Sequence, residues 1–205
     1  MSMFAAKNSS VIDLGKWEIA MAAPILVTFA AGGTGPWCID RLAAVTGAGL
    51  PSAARLAVFE RASAVTAEAA VWTLRGTTSN TRYTNRAEVA ALAARQERLG
   101  RAAARKAALI PIRKNEAWWA LAQDERRAIF EEQSRHIAIG LEYLPAIARR
   151  LHHSRELAEP FDFLTWFEYA PEHADYFEHL VDRLRASEEW RYVEREVDIR
   201  LTRDV

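Results

Sequence analysis

Phe161-Asp162-Phe163-Leu164-Thr165-Trp166-Phe167-Glu168-Tyr169 is the stretch whose reading decides the fold class. Its side chains alternate with the period of a β-strand, which puts Phe161, Phe163, Thr165, Phe167 and Tyr169 on one face. Just downstream, Pro171 suits the first turn of a helix carrying Tyr176, Phe177, Leu180, Val181 and Leu184, and Val193, Val197, Ile199 and Leu201 read as a closing strand. Upstream, Asp124 offers an N-cap for a long helix with Phe130, Ile137, Leu141 and Leu144 along one stripe. Leu109-Ile110-Pro111-Ile112 reads as an edge strand, because Pro111 cannot donate to a ladder. Asn85 caps a helix expected to run to about Leu99, before Gly100. Apolar runs at 24–30, 56–62 and 70–76 read as short strands, the last ending at Gly76 before the polar loop Thr77-Thr78-Ser79-Asn80-Thr81. Strands and helices interleave, and no Gly-rich phosphate loop follows a strand. The expectation is an α+β fold with a largely antiparallel sheet rather than a dinucleotide-binding one.

Composition narrows the function. The chain has 205 residues, enough to bury a substantial core, and its 27 basic residues (23 Arg, 4 Lys) are balanced by 27 acidic ones. Zero formal charge argues against a surface that coats nucleic acid. A single cysteine, Cys38, excludes an intramolecular disulfide framework and any multi-cysteine metal site, and fits a reducing, cytoplasmic setting. The uncharged run from Ile19 to Ile39 raises a membrane span or a secretory signal over 1–31. Pro24, Gly32, Gly33, Gly35 and Pro36 interrupt that run, so it reads instead as a buried strand, Ile25 to Phe29, ended by a turn, with no membrane partner. Residues 1–20 read as an extension outside the fold, with Met21 as an alternative start.

None of the five histidines has a zinc-type spacing. His152 and His153, adjacent and near Arg149, Arg150 and Arg155, read as part of a basic surface turn. His136 differs, because it lies beside the apolar stripe and Gly140 follows one turn later on the same side, leaving room for something flat and large. The plainer alternative is a hydrogen-bonded histidine at a packing edge. On composition alone Arg149 and Arg150 are solvated helix-end cations, Glu189 is a surface acid, and Trp118 and Trp119 are core or interface residues.

These residues also form an ordered pattern. Arg149-Arg150-Leu151-His152-His153-Ser154 precedes Glu159-Pro160-Phe161 and the alternating strand. Leu74-Arg75-Gly76 with Asn80 and Tyr83, Lys114 with Trp118 and Trp119, and Glu188-Glu189-Trp190-Arg191-Tyr192-Val193 fall in the same order. From about Leu74 to Arg203 the chain resembles the chlorite dismutase family, in its short, dimeric branch. The resemblance implies a homodimeric, ferredoxin-like α+β barrel, with a truncated N-terminal half (21–105) and a haem-binding half (106–205). It implies a haem b (iron protoporphyrin IX) enzyme that converts the anion chlorite to chloride and dioxygen through a ferryl haem and hypochlorite. Carried over by position, His136 would be the proximal iron ligand, Glu189 the acceptor of its other ring N–H, and Arg149 the distal cation that holds hypochlorite. Lys114, Tyr83 and Trp118 would lie along the haem or its propionates, and Thr165 and Phe167 would form the distal wall. Arg150 is adjacent to Arg149, but anchoring on Leu151, His153 and Ser154 favours Arg149. Ligand and distal cation must face each other across one cofactor, whereas an unbroken helix would part them by about 20 Å along its axis. A bend is therefore expected between them, at Pro145. Two alternatives remain: a coprohaem decarboxylase of the same superfamily, and a haem-binding or dimerisation module without turnover.

Overall fold

The computed structural model describes residues 24–61, 70–78 and 83–204. The expected extension over 1–20, Asn80 and the tip of the 77–81 loop lie outside them. Among the described residues eight strands form one closed barrel: β1 (Leu26–Gly32), β2 (Trp37–Thr46), β3 (Arg55–Glu60), β4 (Trp72–Thr78), β5 (Lys106–Lys114), β6 (Ala148–His153), β7 (Phe163–Tyr169) and β8 (Val193–Arg203). Around the barrel they run β1-β3-β2-β8-β5-β7-β6-β4, every paired neighbour antiparallel. The helices are α1 (Arg86–Arg95), α2 (Glu116–Ala120), α3 (Gln123–Arg127), α4 (His136–Glu142) and α5 (Ala174–Arg185). An α+β fold with an antiparallel sheet is as expected. None of the described helices is long and apolar enough to cross a membrane.

Strand β7 is buried on both faces, so it fixes two cores at once. Leu164 and Trp166 point into the barrel, where Trp166 meets Phe29 (centroids 5.7 Å apart) and Trp37 (5.3 Å, edge on). Phe163, Phe167 and Tyr169 face outward against α5, with Phe177 stacked on Tyr169 at 4.5 Å. Helix α5 buries Phe177, Leu180, Val181 and Leu184 on one stripe, each side chain contributing about 1.5–3 kcal/mol of transfer free energy. Phe161 departs from the expected outward set: it precedes the strand and packs with the interior cluster.

Two further expectations are corrected, and one strand is new. Strand β5 is central, paired with β7 on one side and β8 on the other, although it contains Pro111. The ladder to β8 skips Ile110 and Pro111 and resumes at Ile112 in the same register, so the sheet tolerates the missing donor at the cost of a gap. The long helix from Asp124 is broken. Glu125 caps it by accepting the Ala122 N–H at 2.7 Å, a π-turn follows in which Ser134 N–H donates to Ile129 O at 3.1 Å, and Arg135 adopts a left-handed conformation (φ 54°) before α4 begins at His136. Strand β2 escaped the sequence reading because only Trp37 among its residues is buried, which leaves no alternation to detect.

The sheet is uneven in its pairing. Among the described residues β1 pairs with β3 and with β4 over six positions each, whereas β3 pairs with β2 at Leu56 and Arg55, followed by the hydrogen bond from Ile39 N–H to Ala54 O, and β4 pairs with β6 at Thr77 and Thr78, where the described part of β4 ends.

His152 and His153 are not on a surface turn; both are buried at the end of β6. His152 lies edge on to Phe29 at 5.2 Å and its Nδ1 donates to the Leu164 carbonyl at 3.0 Å. Burial lowers its pKa to about 4, with the Leu164 contact opposing. The folded form thus binds the proton less readily than the unfolded chain. The stability contributed by neutral His152 is complete above pH 6.5 and is lost as pH falls toward 4. Urea unfolding is expected to show about 3 kcal/mol lost across that window, and His152→Gln should flatten this part of the profile. An unchanged slope in that variant would assign the acid sensitivity elsewhere.

Candidate functional site

An apolar cavity of about 260 Å³ lies on the outer face of β5, β6 and β7, beneath α1, α4 and α5. Its position follows from the two-faced burial of β7: the side chains not used inside the barrel make a wall, and the helices stand against it. Phe163, Thr165 and Phe167 from β7, Ile110 and Ile112 from β5, and Arg149 and Leu151 from β6 line the sheet side. The helical side carries His136, Ile137, Val181 and Leu184, and Tyr83, Trp118, Phe130, Glu189 and Trp190 complete the rim.

His136 is the first residue of α4, placed there by the break at Ser134 and Arg135. Its ring stacks on Phe130 at 4.4 Å, and its Nδ1 lies 2.7 Å from Oε2 of Glu189. That contact leaves Nε2 as the nitrogen free for a ligand. Glu189 is not a surface acid: it is 3% exposed, in the short turn before β8. Burial alone would raise its carboxyl, but the charge of Lys114, then that of His136, and hydrogen bonds from both hold it at about 2. Lys114 Nζ donates to Glu189 Oε1 at 2.8 Å and to its carbonyl at 3.1 Å, and lies over the rings of Trp118 (4.7 Å) and Trp190 (5.6 Å). Ser134 Oγ accepts the Glu189 N–H at 2.8 Å, so the helix break also fixes the acid.

Lys114, expected along a cofactor, therefore does not line the cavity and serves the carboxylate instead. Tyr83, Trp118, Thr165 and Phe167 do line it. Trp118 Nε1 is buried without a hydrogen-bond partner among the described residues, a donor waiting for an acceptor.

The chain reverses between His136 and Arg149 as expected. Helix α4 ends at Glu142, a turn containing Pro145 follows, and β6 starts at Ala148. Strand alternation then separates the two arginines: Arg149 lines the cavity, while Arg150, on the opposite face of β6 alongside Trp166, reaches the exposed Glu60. Burial lowers the pKa of Arg149 to about 10, opposed by the charge of Glu131, so it stays cationic at neutral pH. The room that Gly140 was expected to leave for a flat group is taken by the guanidinium of Arg149, since a Cβ at Gly140 would overlap it.

Two contributors escaped the sequence reading. Glu131 accepts the N–H groups of Ile137 (2.6 Å) and Ala138 (3.1 Å), capping α4 from the preceding π-turn. Trp190 lines the cavity and donates its Nε1–H to the fully buried Glu196 at 2.8 Å. No capping rule spans the six- and seven-residue separations of Glu131, because they exist only once the helix breaks.

No group of three or more His, Cys, Asp or Glu side chains converges among the described residues. One imidazole faces an apolar cavity that has an unpaired indole donor and a cation at its margins. The chain belongs to the chlorite dismutase family, which it matches over residues 52–205. It is 57% identical to the dimeric chlorite dismutase of Nitrobacter winogradskyi, with a TM-score of 0.81 over 87% of this chain and 99% of that one. A chlorite dismutase mutant from Candidatus Nitrospira defluvii, 20% identical with a TM-score of 0.65 over 92% and 95%, shares the fold.

Proposed function

We propose that the protein is a haem b-dependent chlorite dismutase that converts chlorite to chloride and dioxygen as a homodimer, like the dimeric relative. The observation that carries this reading is His136, with Nδ1 engaged by an ionised, buried Glu189 and Nε2 left free at an apolar cavity. The residues present fit haem: a single imidazole that would hold the iron, apolar walls, and the unpaired Trp118 Nε1–H that would meet a propionate. His136 would be the proximal ligand. Glu189 orients its ring and makes it more electron-donating, as a carboxylate partner does for metal-bound histidine. Lys114 keeps Glu189 ionised in a setting that would otherwise protonate it. Trp118 and Tyr83 would contact the cofactor's margin, and Thr165 and Phe167 would form the wall on the sheet side. When bound, the haem supplies the redox-active iron at which the Cl–O bond is broken.

Arg149 would act on the anions. Its guanidinium attracts chlorite, offers several donors to hypochlorite and delivers no proton to either, which keeps hypochlorite in place for dioxygen formation. Chlorite and its fragments thus remain in a cavity with few competing polar groups. The halves 21–105 and 106–205 read as two ferredoxin-like units, the first trimmed. In support, α2 to α5 all belong to the second half, and α1 is the single described helix of the first.

An oxygen electrode tests the reading: haem-loaded protein should evolve dioxygen from chlorite, and a protein that evolves none overturns it. Turnover of coprohaem with peroxide to haem b would instead favour the decarboxylase. His136→Ala should abolish the five-coordinate ferric spectrum of the loaded protein.

A further inference from the structure

The walls of the cavity are held unequally. On the sheet side β5, β6 and β7 are joined by continuous ladders. Among the helices, α5 is anchored by Phe177, Leu180, Val181 and Leu184, and α4 by Ile137 and Ile139, all buried. Helix α1 closes a further side with Leu92 and, just past its end, Gln96, yet none of its residues is buried. What fastens its N-terminal end is polar. Arg127 of α3 forms a two-point ion pair with Glu88, Nη1 to Oε2 at 2.9 Å and Nη2 to Oε1 at 2.5 Å, and Nη1 also donates to the Tyr83 carbonyl. The two side chains of the pair are 25% and 17% exposed. Glu88 serves twice, since Oε2 also accepts the Asn85 N–H at 2.8 Å and so caps α1. Outside this seam lies an open surface depression lined by Asn85, Gln123, Asp124 and Arg127. Tyr83 and Thr84 line both the depression and the cavity, so they and the pair form the partition between the two.

We infer that the seam between α1 and α3 is the door by which the cofactor enters and leaves the cavity, and that the Glu88–Arg127 pair is its latch. This rests on the proposed reading of the cavity as a haem site. A rigid planar ring has to pass edge first, and neither the sheet ladders nor the helices with buried anchors can part for it without opening the core. Swinging the start of α1 outward breaks a partly exposed ion pair and uncovers no buried side chain of that helix. A pair of this kind contributes little to stability, which suits a contact that must open while the protein stays folded. The latch joins α1 to α3 rather than α4 to β6, so a ring seated between the latter two does not displace it.

Arg127→Met and Glu88→Gln test the latch, and glutamine at 88 keeps the cap at the helix start. Mixed with haemin and followed by the growth of the Soret band, both cofactor-free variants should take up haem about fivefold faster than the parent, the factor that corresponds to one partly exposed ion pair. Loss of haem from the loaded variants to excess apomyoglobin should quicken by the same factor, which leaves the affinity unchanged. Dioxygen formation per bound haem should stay that of the parent. Raising the salt concentration should speed uptake by the parent and not by the variants, because only the parent has a pair to screen. Faster loss without faster uptake would make the pair a support of the bound state, and unchanged rates would place the entrance elsewhere; either overturns the inference. So does higher turnover with unchanged haem exchange, because the seam would then be a passage for substrate. Hydrogen exchange in the cofactor-free protein gives an arm that needs no haem: the α1 amides should exchange about fivefold faster in the variants while those of α4 and α5 do not change. Equal α1 rates count against the latch. Should the parent take up no haem, the proposed function fails, while this arm still decides whether the pair governs the opening of α1.

Discussion

Glu189→Ala is expected to destabilise the cofactor-free chain by about 3–5 kcal/mol, the usual cost of removing one partner of a buried ion pair. Lys114, 2% exposed between two indole rings, would lose its carboxylate partner and keep the carbonyl of residue 189 as its remaining strong acceptor. His136 would at the same time lose the contact that fixes its ring. Urea unfolding measures the first effect. Uptake of haem and the position of its absorbance bands report the second. Joining Lys114→Met to Glu189→Leu separates them, since a well-packed apolar pair can replace a buried ion pair with little loss of stability. Stability should largely return in that double variant, whereas the spectral change should persist. A loss below about 1 kcal/mol in Glu189→Ala would show that water reaches Lys114 and that the pair is not a support.

Arg149→Ala should keep haem binding and lose about 10²-fold in dioxygen formation from chlorite, the scale seen when one preorganised donor to a reacting anion is deleted. Stability should change little, because the guanidinium has no hydrogen-bond or ion-pair partner among the described residues to leave unsatisfied. With the cation gone, hypochlorite should escape, and a chlorination trap added to the assay should register it. Turnover within about twofold of the parent would remove Arg149 from the chemistry. Arg150→Ala serves as the control: its side chain pairs with Glu60 outside the cavity, so it should change neither quantity.

The sequence carried the site further than it carried the fold. Strand β7 and helix α5 were legible because their burial is periodic, and the ordered motifs pointed to the residues that converge on the cavity. Illegible were the features decided by tertiary context. Pro111 in a central strand is tolerated because the ladder to β8 can skip two positions. The break before His136 depends on a π-turn and a left-handed arginine, neither of which has a residue signature here. His152 and His153 looked like surface residues because their arginine neighbours are visible in sequence, while Phe29, Leu164 and Phe163, which enclose them, are remote or across the ladder. Gly140 was singled out for the right reason, a missing side chain, but the occupant of the space came from β6 and could not be read locally.

Two seams, as far as the described residues run, bound one panel of the barrel. Among the described residues, strands β1, β3 and β4 pair with the rest of the sheet at Leu56 and Arg55 on one side and at Thr77 and Thr78 on the other. The cavity wall is built from β5, β6 and β7, beyond both stitches. The panel touches the strands behind the wall through packing inside the barrel, where Phe29 meets His152 of β6 and Trp166 of β7, so a volume change at position 29 is the disturbance that would travel furthest toward the pocket.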